Sequence, residues 1–106
     1  MAKFYVTEFT GAGRYYGSAI PVGYAGKWTE NAGSPVGIGS GASLSSTFNA
    51  TTNLIRLETD AICSFLIGSS TGTTVTASNA RMAANTVEYI EVPPGTTFVV
   101  QVITNS

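Results

Sequence analysis

Asn53-Leu54-Ile55-Arg56-Leu57-Glu58-Thr59 alternates along its length, with Ile55 and Leu57 on one side of an extended chain and Arg56 and Glu58 on the other. Period two marks a strand with one buried face. Asp60-Ala61 then bends the chain into Ile62-Cys63-Ser64-Phe65-Leu66-Ile67, a run too apolar for an exposed face and so expected at the centre of a sheet. Gly68 to Gly72 reads as a loop, Thr73 to Ala77 as a short polar strand, and Ser78 to Asn85 as a loop or single helical turn. Val87-Glu88-Tyr89 and Ile90-Glu91-Val92 each set an acid between apolar residues but are out of phase, which implies a bulge near Tyr89 or a strand covered on both sides. Pro93-Pro94-Gly95-Thr96 has the residue order of a type II turn, and with Thr97 to Ile103 beyond it residues 87 to 103 read as a hairpin. Lys3 to Thr7 adds an opening strand. These elements predict an all-β fold, a small antiparallel β-sandwich or barrel.

The first part of the chain is different. Nine of the twelve glycines lie between Gly11 and Gly41, and seven of the eleven aromatics precede residue 42. The expectation is one domain over residues 1–106, in which residues 1–46 form a strand plus a Gly/aromatic-rich arm or long loop and residues 47–106 the sandwich core. Such a stretch either packs as an arm on a neighbour or holds short strands, and the arm is the expected form.

At 106 residues the chain builds one core without much surplus, so partner subunits would help it. Charged residues are 10% of the total and the net charge is -1, while Ser and Thr number 26, so hydroxyls and backbone replace ions on the surface. Five basic side chains are too few to neutralise a run of phosphates, which argues against nucleic acid and against a polybasic membrane contact. No apolar stretch reaches the ~18 residues of a membrane span, and Met1-Ala2-Lys3-Phe4-Tyr5 does not read as a signal peptide, so the expectation is a product kept in a cytoplasm until released.

There is no histidine, which removes the commonest metal ligand and every Ser-His or Cys-His pair. Gly68-Ser69-Ser70-Thr71-Gly72 matches a nucleophile-elbow pattern, but no base is available and a plain loop is the better reading. Glu58 and Asp60 share a strand face and could in principle be a glycosidase pair, yet with Arg56 beside them they read as a polar stripe, and Glu88 with Glu91 is discounted likewise. The lone Cys63 reads as a small core residue. No cofactor, metal or catalytic residue is expected. Tyr15, Tyr16, Tyr24 and Trp28, among glycines, could stack on sugars or bases, or bury against a neighbour. Together with Phe4 and Tyr5 they are the candidate interface residues.

Phe48 to Cys63, Ile67-Gly68, Ser78 to Asn85, Val87-Glu88-Tyr89 and Val92-Pro93-Pro94-Gly95, with the start Met1 to Glu8, resemble a group of small β-rich structural proteins of tailed bacteriophages and prophages. The resemblance covers about half the chain. It implies a virion structural protein, not an enzyme, assembled in the bacterial cytoplasm, and for a sandwich of this size a capsid decoration or cement role. Such a protein bridges subunits of the major capsid protein, here as a dimer or trimer at symmetry positions. The alternatives are a tail, fibre or head-fibre module contacting host glycans, and a head-tail connector or tail component.

Overall fold

The computed structural model describes residues 2–10, 14–15, 18–19, 27–69 and 71–105. In chain order the strands are β1 (Ala2–Thr10), β2 (Arg14–Tyr15), β3 (Ser18–Ala19), β4 (Lys27–Glu30), β5 (Val36–Ile38) and β6 (Ser43–Leu44). They continue with β7 (Thr52–Thr59), β8 (Cys63–Ser69), β9 (Ala80–Met82), β10 (Thr86–Glu91) and β11 (Phe98–Thr104). The protein is all-β, and its two principal sheets are antiparallel and packed as a sandwich. One sheet has five strands in the order β10-β7-β1-β4, with β5 continuing the β4 margin along β1; the other has four, β6-β11-β8-β9. β2 and β3 pair with each other.

Alternation places Phe4 and Val6 of β1 and Ile55 and Leu57 of β7 inside, against Cys63 and Phe65 of β8 and Val100 and Val102 of β11. Phe4 and Phe65 meet across the sheets with ring centroids 6.5 Å apart. β8 is paired on both sides, by β11 and β9, as its apolar run requires. The chain passes between sheets at Thr59 to Cys63. There the buried Thr59 hydroxyl donates to the Ala61 carbonyl at 2.6 Å and accepts from the Ala61 amide, so the corner leaves this hydroxyl satisfied.

Several expectations are corrected. Residues 87 to 103 are not a hairpin: β10 pairs with β7 and β11 with β8 and β6, in different sheets. The turn signal is real, since Gly95 has φ +83° after its two prolines. It builds a corner between sheets, however, held where the Gly95 amide bonds the Ala50 carbonyl and the Phe48 amide the Phe98 carbonyl. Nor does β10 carry a bulge, because its register with β7 is unbroken from Thr86 to Glu91. Ile90 packs toward the core while Val87 and Tyr89 point outward and are exposed, so the strand is apolar on both faces.

Ala80 to Met82 is a strand and not a helical turn. Met82 fills the core opposite Cys63, and so short a helix has too few hydrogen bonds to compete. Thr73 to Ala77 forms no strand. It is part of a strap over the outer face of the four-stranded sheet, pinned by side chains. Gln101 accepts from the Val75 amide at 3.0 Å and donates to the Thr73 carbonyl at 2.9 Å, and Ser64 and Asn105 both donate to the Ala77 carbonyl.

The proposed arm is also redrawn. Residues 27–46 contain β4, β5 and β6, which complete both sheets, and Val36 and Ile38 belong to the core. Gly37 lies within β5 while Gly33, Gly39 and Gly41 sit between short margin strands, and short strands carry too few residues for a visible alternation. The remainder of the expected arm lies mostly outside the described residues.

Candidate functional site

The outer faces of the two sheets are treated differently. The strap covers much of the four-stranded sheet. Among the described residues no comparable strap covers the aromatic ridge of the five-stranded sheet. The ridge begins at Trp28 of β4, which stands opposite Phe9 of β1 in the strand register. Phe9 in turn faces Leu54 of β7, and the rings of Phe9 and Tyr89 approach to 6.4 Å between centroids at 47°. Phe9 and Leu54 are buried in a small cluster of their own, separate from the main core. Above them Trp28 is 59% exposed and Tyr89 47%, with Tyr5 and Val87 also exposed along the same face. Large apolar side chains so placed are unusual on a finished surface.

Beside the ridge, Thr7, Phe9, Trp28, Glu30 and Arg56 line a shallow groove of about 300 Å³. Glu30 accepts at Oε1 from the Thr7 hydroxyl at 3.4 Å and the Ser34 hydroxyl at 3.3 Å. Arg56 meets Glu58 end-on at 3.5 Å, both partly exposed, a pairing of the weakly contributing surface kind.

The sequence-derived candidates divide. Phe4 is corrected: it is fully buried, because its place in the alternation of β1 turns it into the core, and it offers nothing to a partner. Tyr5, its neighbour, faces out at 37% exposure, and Trp28 lies at the head of the ridge. Tyr15 is in β2, where its backbone pairs with Ser18, and its side chain lies outside the description. Tyr16 and Tyr24 lie outside the described residues. Missed by sequence reasoning were Phe9, Leu54, Val87 and Tyr89. The available signal was the phase break in β10, which marks a strand with apolar residues on both sides.

The acidic pairs are resolved by geometry. Glu58 and Asp60 line one shallow cleft with Tyr5 and Asn85, but Asp60 accepts from the Lys3 amide at 2.8 Å and so tethers β1. Glu88 and Glu91 stand three apart on one strand and therefore face opposite sides of the sheet. Cys63 is buried, and burial pushes its thiol pKa up although a contact with the Thr59 hydroxyl at 3.7 Å opposes the shift. Among the described residues no group of three His, Cys, Asp or Glu side chains could hold a metal ion, and no helix is long and apolar enough to cross a membrane. No protein-family model, curated protein or solved structure matches the chain.

Proposed function

We propose that this chain is a non-enzymatic structural component of a phage particle, and within that class a capsid decoration protein that bridges major-capsid subunits. What carries it is the pair of exposed rings, Trp28 and Tyr89, set around the buried Phe9 and Leu54 on a sheet whose opposite number is covered by its own strap. Phe9 and Leu54 form a dry floor and the exposed rings above it form anchors, which is how the centre of a protein interface is built. A shell repeats the contact by symmetry, so each copy needs only modest affinity. The test is a stoichiometric gel of purified particles with and without the gene, followed by heat or osmotic challenge. The protein is expected on the shell in hundreds of copies, and particles lacking it are expected to burst earlier. Equal robustness and absence from shells would end the cement role.

A tail or fibre module is favoured by one observation, the groove that sets the Trp28 ring beside Glu30 and Arg56. An aromatic face with flanking hydrogen-bonding groups suits a sugar ring. Binding of the purified chain to host-surface glycans, lost in Trp28→Ala, would move the assignment there.

A further inference from the structure

We propose that β10 is a self-association edge, through which two copies of this chain join antiparallel with Tyr89 opposite Tyr89 of the second copy. Among the described residues β10 pairs on one side only, with β7, at the end of the five-stranded sheet. The Val92 amide bonds the carbonyl of Asn53 at 3.1 Å, and these two residues continue the β10–β7 register by one step. Antiparallel pairs alternate between bonded and non-bonded, so Ile90, Glu88 and Thr86 turn their backbone groups toward β7. Val87 and Tyr89 therefore direct theirs to the open side. The β1 side agrees: the Asp60 amide bonds the Lys3 carbonyl, which assigns the even residues of β7 to β1 and leaves the odd ones for β10.

Other margins of the described sheets are protected. β4 and β5 are interrupted by the segment 31–35 with its proline, while β6 and β9 have two and three residues. β10 runs six residues with neither proline nor bulge, and Val87 and Tyr89 are exposed on it.

Symmetry and charge admit a second copy of this chain at the edge and select its register. A two-fold at Glu88 sets that carboxylate directly against its copy, which is destabilising. A two-fold at Ile90 brings Val87 opposite Pro93, which has no N–H to give. The two-fold at Tyr89 sets Val87 opposite Glu91 and Glu88 opposite Ile90, with no acid facing an acid. Asn85, at φ +59°, ends the strand on the other side. The product is a continuous ten-stranded sheet whose two aromatic ridges lie on the same side. Such a dimer deepens the homo-oligomer part of the functional reading and rests on it for its place on a particle, while the pairing itself is tested without one.

The experiment is sedimentation velocity of the full chain across the micromolar range, for wild type and Tyr89→Pro. Because the Tyr89 N–H faces the open edge, proline there removes edge donors and leaves the β7 ladder intact. Wild type is expected to dimerise, and Tyr89→Pro to raise the dimer dissociation constant roughly 10- to 100-fold with an unchanged circular dichroism spectrum. Tyr89→Cys supplies the second measurement, since Cys63 is buried: mild oxidation is expected to cross-link Tyr89→Cys dimers and not Glu88→Cys dimers. A monomeric wild type at every concentration, or dimers that ignore both Tyr89 changes, would overturn the pairing. Loss of shell binding by Tyr89→Pro with a monomeric wild type would overturn it in favour of a capsid strand at the same edge. Failure of the gene-deletion test with an intact dimer would sink only the cement role.

Discussion

Glu8 and Asn31 share a buried hydrogen bond of 2.7 Å, from the Asn31 side-chain amide to Glu8 Oε2, at the end of the sandwich where β1 meets the turn after β4. Glu8 continues the inward row of Phe4 and Val6, so β1 carries a carboxylate into its own core face. Three donors converge on that carboxylate. The Asn49 amide reaches Oε1 at 2.8 Å and the Thr52 hydroxyl at 2.5 Å, while Asn31 also donates to the Ser46 carbonyl and accepts from the Gly33 and Ser46 amides. Glu8→Ala strands three donors and is expected to cost about 3–5 kcal/mol in urea unfolding. Glu8→Gln, which keeps the Oε1 acceptor but turns an amide toward Asn31, is expected to cost about 1–3 kcal/mol.

Gly33 is held by the same cluster. A Cβ there would stand 2.5 Å from the Ser46 amide nitrogen, and that backbone is already fixed by Asn31. Gly33→Ala is expected to destabilise by about 1–3 kcal/mol. Gly39→Ala, with nothing within 4 Å of its added carbon, should leave the melting temperature unchanged or slightly raised.

The strands that sequence reading placed well are those with one clean face. β7 shows Ile55 and Leu57 against Arg56 and Glu58, and β8 is apolar enough to demand two neighbours. Legibility failed where tertiary contacts overrode local pattern. Glu8 looks like a surface residue because its compensating donors come from residues 31, 49 and 52, all more than twenty positions away in the chain. Thr73 to Ala77 has the composition of a strand and none of the pairing, since Gln101, 28 residues from Thr73, captures its backbone. The ridge escaped notice because it draws on β1, β4, β7 and β10, whose order in the sheet no local pattern reveals.

Gln101 is expected to be the clasp of the strap. It is buried, and its amide satisfies both a donor and an acceptor of residues 73–75. Gln101→Ala leaves those two backbone groups unpartnered near the buried Val75, at about 2–3 kcal/mol. Limited proteolysis is expected to cut the variant within residues 71–79 well before wild type.

Cys63 is expected to resist alkylation in the native protein and to react only on unfolding, because burial keeps it a thiol. The sign of its pH dependence follows. The folded pKa lies above the unfolded one, so the folded state holds its proton more tightly. That contribution is fully present below the ordinary thiol pKa and is lost as pH rises through the elevated folded value. In Cys63→Ala the alkaline decline of stability should be shallower than in wild type, read as the difference between two urea-midpoint curves against pH. Equal slopes would show that the thiol does not contribute.

Trp28 separates binding from folding. Its ring is 59% exposed, so Trp28→Ala removes little buried area and should change stability by less than about 1 kcal/mol. Leu54 beneath the ridge is buried, and Leu54→Ala opens a cavity worth about 2–4 kcal/mol. If the ridge is the contact surface, the order reverses for attachment to particles. Trp28→Ala, though fully folded, should weaken attachment by more than about 30-fold, as an anchoring residue does at ~2 kcal/mol or above. A Trp28→Ala protein that coats particles as wild type does would move the contact off this face.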